Sequence, residues 1–170
     1  MIPAHLTEEK IISAAAEAFT LHERSRFGEK QDGKIEYSPA EALFLAQENK
    51  MRVFSGKKPL DFASLLKKLK KQDKKLETKL TVFSDLRKRG CIVKSALKFG
   101  GEFRVYDKGV KPGEAHARWI LYTIRESDSL NWHEFAAKTR VAHSTKKRLL
   151  IAIVDDESDV SYYEIAWLKP

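Results

Sequence analysis

At 170 residues, 42% of them hydrophobic, the chain is long enough for one compact domain, or for two small ones sharing an interface. Its single cysteine, Cys91, excludes an internal disulfide and a thiolate metal cluster, and makes a reducing cytoplasm the expected compartment. No apolar run approaches a membrane span, and the opening MIPAHLTEEK lacks a signal-peptide layout. A net charge of +8 with a pI near 9.5 favours a polyanionic partner, nucleic acid being the commonest.

Along the chain, IISAAAEAFTL (residues 11–21) reads as helix by its alanines and as strand by its Ile, Phe and Thr. RFGEKQDGKIEY after it is turn-rich. In SPAEALFLAQENK, Ser38 fits an N-cap, Pro39 the first helical position and Glu41 the third, a capping box with proline where its missing N–H does no harm. That helix ends near Asn49, MRVF reads as a brief strand and SGKKP as a turn. From Leu60 to Arg89 the pattern predicts helix, because Leu65, Leu69, Leu76, Leu80 and Phe83 recur at helical steps. The lysines of KKLKKQDKK fall on the opposite face, as an RNA-binding surface or as a plain solvated one. Gly90 supplies a stop. The expected boundary lies inside this helical stretch, with no flexible linker, between domains at 1–76 and 77–170.

After Gly90 the pattern changes to strands: CIVKSALKF, EFRVYDKG and ARWILYTIRE. A helix follows in SLNWHEFAAKTRVA, with Leu130, Phe135 and Ala136 facing inward. LLIAIVD and DVSYYEIAW are two more strands, joined by the acidic turn DESD. The expected fold class is α+β: a small N-terminal mixed α/β domain, then a C-terminal nuclease-like domain with a mixed sheet packed on helices.

Several chemistries are excluded by motif, since there is no P-loop, CxxC, HExxH or GxSxG. None of the five histidines, His5, His22, His116, His133 and His143, pairs with another at i,i+4, which disfavours zinc. Asp155, Asp156, Glu157 and Asp159 have the chemistry to hold Mg²⁺, but crowded in one polar turn they read more simply as an exposed loop. Tyr106 precedes the turn DKGVKPGEA and His116 follows it, so a hairpin-like loop brings a phenol near an imidazole. Lys146 and Lys147 begin another strand of the same sheet. On pattern alone a single Tyr, His or Lys at a strand end is more often structural.

The blocks DLRKRGCIVKSALKFGGEFRVYDKG, GEAHARW and RVAHSTKKRLLIAIVDDESDVSYYEIAWLKP resemble the archaeal tRNA-splicing endonuclease family, specifically from Asp85 to Pro170. Upstream, Phe27–Gly28 and SPAEALFLAQ stand where the family's N-terminal domain has matching elements. The resemblance implies an endonuclease that cuts precursor tRNA in the bulges of a bulge-helix-bulge, leaving a 2',3'-cyclic phosphate and a 5'-hydroxyl, with no metal or other cofactor. It implies a triad: Tyr106 to take or steer the 2'-hydroxyl proton, His116 to protonate the leaving 5'-oxygen and Lys147 to stabilise the extra charge on the pentacoordinate phosphate. A phenol with its ordinary pKa of about 10 acts as a base more readily beside a cation. Lys146 stands where the family often has arginine. Arg140 matches an arginine that stacks on a splayed base, and Ser144 and His143 fit helix-end or phosphate-orienting roles.

The resemblance further implies a homotetramer, or a heterotetramer with a structural paralogue. The acidic loop Asp155, Asp156, Glu157 and Asp159 would dock on a neighbouring subunit, and SYYEIAWLKP would add an intersubunit strand or stay an ordinary core strand. The competing readings are a non-catalytic RNA-binding subunit and a metal-dependent nuclease built on the acidic turn.

Overall fold

A computed structural model describes residues 1–7 and 10–168, so Lys169 and Pro170 of the expected tail lie outside the described residues. The chain divides into two compact units, Met1–Phe83 and Ser84–Pro170. Each has its own sheet, which gives the α+β class expected. No helix among the described residues is long and apolar enough to cross a membrane.

The first unit begins with β1 (Ile2–Leu6), β2 (Ile11–Ser13) and α1 (Ala16–Ser25). IISAAAEAFTL is therefore strand and helix in succession. The Ser13 hydroxyl marks the change, donating to Pro3 O at 2.6 Å and accepting from Ala15 N–H at 3.3 Å. The turn-rich segment forms a hairpin of β3 (Glu29–Gln31) and β4 (Lys34–Tyr37). Its two-residue turn has Asp32 and Gly33 both left-handed, the twist that suits a tight hairpin. Then follow α2 (Pro39–Gln47), β5 (Met51–Ser55) and β6 (Lys58–Pro59). The sheet order is β3-β4-β2-β1-β5-β6, with β1 and β5 parallel and the other pairs antiparallel.

The capping box forms as expected, and Glu41 extends it. Its buried carboxylate accepts from Ser38 N–H at 3.0 Å, from the Ser38 hydroxyl at 2.9 Å and from Gly28 N–H at 2.9 Å. Residue 28 has φ +70°, and a Cβ there would stand 2.3 Å from Ile35 Cγ2, so only glycine lets this N–H reach the carboxylate. Three rings pack beside it. Phe27 stacks on Phe44 with centroids 5.7 Å apart, and Phe83 meets Phe44 edge-on at 5.7 Å.

The single helix expected over Leu60–Arg89 is instead two, α3 (Phe62–Lys70) and α4 (Leu76–Lys88). Asp73 is the cause. Its carboxylate accepts from Lys75 N–H at 2.9 Å and binds Lys79 Nζ at 2.7 Å, while its carbonyl accepts from Leu76 N–H at 3.1 Å. Aspartate competes with helical bonding in this way and suits a helix start better than its middle. The apolar residues keep one helical face across the break, which hid it from periodicity. The two units meet in sequence within α4, and Gly90, at φ +89°, follows it as the stop.

The second unit continues with β7 (Ile92–Ser95), β8 (Phe103–Tyr106), β9 (Trp119–Arg125), α5 (Trp132–Ser144), β10 (Arg148–Val154) and β11 (Val160–Ile165). The sheet order is β11-β10-β9-β8-β7, with β9 and β10 parallel and the rest antiparallel. The strand expected through CIVKSALKF stops at Ser95, and Leu97–Phe99 make a 3₁₀ turn. Asn131 and Glu134 form a second capping box on α5, unnoticed in the sequence. Leu130 precedes that helix and is exposed, contrary to expectation, whereas Phe135 packs on the core of Ala96, Ile120, Tyr122, Ala142, Leu149 and Ile151.

Replacing Glu41 with alanine removes the buried carboxylate that accepts from Ser38 N–H, the Ser38 hydroxyl and Gly28 N–H. We expect a loss of about 2–4 kcal/mol, read as a lowered urea midpoint at unchanged m-value.

Candidate active site

Three strand ends meet at one edge of the C-terminal sheet. Arg118 N–H donates to Val105 O at 3.0 Å, and Arg118 O accepts from Arg148 N–H at 3.0 Å. The peptide of Arg118 thus links the end of β8 to the starts of β9 and β10. Tyr106 is one residue beyond Val105, Lys147 one before Arg148, and His116 two before Arg118. Register also fixes the face: Arg104 pairs with Ile120 and Ile120 with Leu149. Tyr106 and Lys147, each two residues further along, continue that face by the alternation of the pleat.

The chain reaches Lys147 through a tight helix end. Lys146 is left-handed at φ +55° and its N–H donates to His143 O at 3.0 Å, while Lys147 N–H donates to Ala142 O at 2.9 Å. This is a Schellman closure of α5 with lysine where glycine is usual. The half-buried Lys147 side chain turns back so that Nζ donates to Thr145 O at 2.9 Å, a cation at the negative end of the helix.

A ring lies under the same ammonium. Phe99 has Lys147 Nζ 5.4 Å from its centroid and the Arg104 guanidinium carbon 5.1 Å from it. Both are within cation–π range. Phe99 is held by its turn: Tyr122 hydroxyl donates to Gly100 O at 2.7 Å, and a Cβ on Gly101 would stand 2.4 Å from Ile120 Cγ2. Burial pushes the Lys147 ammonium below the ordinary lysine range, and the like charge of Arg104 pushes the same way. Neither Phe99 nor Arg104 was singled out in the sequence. Arg104 was findable, since a residue two before Tyr106 on a strand shares its face.

The ring of Tyr106 is buried, and its hydroxyl has no hydrogen-bond partner among the described residues. His116 is exposed in the loop before β9, likewise without a side-chain partner among the described residues. An open groove is lined by Arg118, His143, Ser144, Lys146, Lys147 and Arg148. It gathers the expected Ser144 and Lys146 with Lys147, and adds Arg118 and Arg148. Arg140 does not line it. That residue is exposed on α5, one turn before Ser144. The His143 ring meets Trp167 edge-on at 4.3 Å.

The acidic turn lies at the other end of β10, about 26 Å along the strand from Lys147. Asp155 uses its carboxylate there to accept from Glu157 N–H at 3.0 Å and Asp159 N–H at 2.9 Å. Those bonds close the β10–β11 turn, so this carboxylate has a structural use far from the three strand ends.

Comparison with known proteins bears on what this edge does. Residues 76–162 match the family described as "tRNA intron endonuclease, catalytic C-terminal domain", and residues 2–66 match "tRNA intron endonuclease, N-terminal domain". The chain is 40% identical over 149 residues to a protein of Thermococcus onnurineus named tRNA-splicing endonuclease, covering 88% of this chain and 85% of that one. It is 36% identical over 170 residues to the protein of that name from Pyrococcus furiosus, covering 99% and 98%. To the one from Methanothermobacter thermautotrophicus it is 36% identical over 162 residues, covering 94% and 92%.

The surroundings of Lys147 predict a titration. Followed by the ¹³C shift of its Cε, Lys147 should lose its proton at lower pH than the exposed lysines. Arg104→Gln, by removing a like charge, should move that midpoint upward; an unmoved midpoint contradicts the coupling.

Proposed function

Because this chain belongs to the tRNA intron endonuclease family, we propose that it excises introns by cutting precursor tRNA in both bulges of a bulge-helix-bulge. The reaction is a transesterification in which the RNA supplies its own nucleophile. Tyr106, as phenolate, takes the proton of the 2'-hydroxyl. O2' bonds to phosphorus as the bond from phosphorus to O5' breaks, and the His116 imidazolium gives its proton to O5'. The products are a 2',3'-cyclic phosphate and a 5'-hydroxyl. Lys147 faces the non-bridging oxygens, where charge grows at the pentacoordinate stage.

The observation that carries this reading is the meeting of the Tyr106, Arg118 and Lys147 backbones at one sheet edge, with the Lys147 ammonium crowded by Arg104. A phosphate arriving between the two cations relieves their repulsion. Lys146 adds positive charge to the groove, and Arg118 and Arg148 pair there with Asp107 and Glu164. The Ser144 hydroxyl, which donates to Val141 O at 3.0 Å, would turn from it to donate to phosphate. Arg140, at the outer end of α5, is suited to stack on an unpaired bulge base.

Two cuts in one substrate need two active sites at fixed separation, so we assign the working enzyme to an assembly: a homotetramer, or a heterotetramer with a structural paralogue. β11 is an edge strand of the sheet. Beside it runs an apolar groove that includes Ile124, Phe135, Ile153, Tyr163 and Ile165, and Tyr163 is 57% exposed. The acidic turn of Asp155, Asp156, Glu157 and Asp159 projects from the same hairpin, ready for a basic groove on a neighbouring subunit. A solution mass of about four chains agrees with the homotetramer, and a monomer at working concentration excludes it.

Lys147→Ala and His116→Ala should each lower cleavage of a bulge-helix-bulge RNA by about 100-fold or more while binding persists. Wild-type turnover in either variant rules out the assigned roles. Cleavage should survive a strong chelator, and mass spectrometry of the fragments should find the cyclic phosphate.

A further inference from the structure

We infer that the lysine-rich face of the N-terminal unit, built from the β5–β6 hairpin, α3 and the turn after it, is a second RNA-binding surface. It grips backbone phosphates of the precursor tRNA other than those that are cut, an inference that rests on the substrate class proposed above. The charge is concentrated there. Residues 57–75 hold eight lysines and two aspartates, a net +6. The remainder of residues 1–83 holds eight basic and ten acidic residues, a net −2. All of the positive balance of this unit therefore comes from one hairpin, one helix and one turn.

The side chains are presented rather than absorbed. Leu65 and Leu69 anchor α3 by its buried face, and Lys57, Lys58, Lys67, Lys68, Lys70, Lys71, Lys74 and Lys75 are all exposed. Lys68 Nζ donates to Ser55 Oγ at 3.0 Å, tying the helix to the hairpin and joining their lysines in one patch. The acids of the region are already engaged: Asp61 caps α3 through Ser64 N–H at 2.7 Å, Asp73 holds Lys79, and Glu77 pairs with Lys70. Lys57, Lys67, Lys71 and Lys74 have no ion-pair partner among the described residues. Cations in the last turn of α3 suit its dipole, but that does not account for Lys57 and Lys58 on the hairpin or Lys74 beyond the helix. Lys67 and Lys71 stand at i,i+4, a like-charge spacing that weakens a helix left in solvent. Protein interfaces are depleted in lysine, whereas phosphate contacts that position RNA without reading its bases use such residues. RNA is thus the favoured ligand over an acidic protein.

The test compares the whole protein with its Lys67→Gln/Lys68→Gln/Lys71→Gln/Lys74→Gln variant. Each is titrated with an intron-containing precursor tRNA transcript and with a short RNA holding only the two bulges and the helix between them. The variant should lose tenfold or more in affinity for the full transcript at low salt. That loss should be at least tenfold greater than its loss for the short RNA. The slope of log K against log salt for the transcript should become shallower by about 3, as four lost phosphate contacts require. Equal slopes, or equal losses for both RNAs, overturn the inference. A variant that instead loses its assembled mass assigns the patch to the acidic turn of a second copy, and also overturns it. Failure of the unmutated protein to cut either RNA overturns the proposed function instead, because the slopes are read from binding alone.

Discussion

Parallel neighbours in a sheet cannot be joined by a hairpin, and the seven-residue ladder between β9 and β10 is the constraint on which the C-terminal unit depends. It requires a crossover, α5 supplies it, and the return of α5 delivers Lys147 beside the start of β9. The antiparallel pairing of β8 with β9 then brings Tyr106 to the same edge. Residues about forty positions apart in sequence become neighbours because of backbone hydrogen bonding, not because their side chains attract one another. Burial of Ile120, Leu149 and Ile151 against Ala142 of α5 holds the register, since a slip of β10 by one residue would carry Leu149 and Ile151 away from α5 to the opposite face.

The two units treat charge in opposite ways. Glu41 is buried and accepts three hydrogen bonds, so its charge is well satisfied and serves folding. Lys147 gives one hydrogen bond to Thr145 O, rests on a ring and faces a like charge. Among the described residues no carboxylate answers it. An ammonium held in this way and incompletely satisfied suits the phosphate contact proposed for it. That is the physical sense of a basic cluster at the start of a core strand.

The fold was legible where local chemistry decides it. Ser38, Pro39 and Glu41 announced α2, Gly90 announced the end of α4, and the apolar runs in ARWILYTIRE and LLIAIVD announced strands. It was illegible where one residue overrides a pattern: Asp73 divides a helix whose leucines keep perfect spacing. The 3₁₀ turn at Phe99 was lost inside an apolar run that reads as strand, and with it the ring beneath Lys147. Tyr106, His116 and Lys147 were picked out by family resemblance. Pattern alone left each as plausibly structural, because a parallel register depends on contacts that no local window contains.

The left-handed lysine at 146 leaves no spare residue between α5 and β10. An insertion of a single amino acid at that junction would invert the whole of β10, sending Leu149 and Ile151 to the face now held by Leu150 and Ala152. A change of length is therefore accommodated more readily in a loop such as 107–118 than at this passage from helix to strand, which behaves as a rigid elbow.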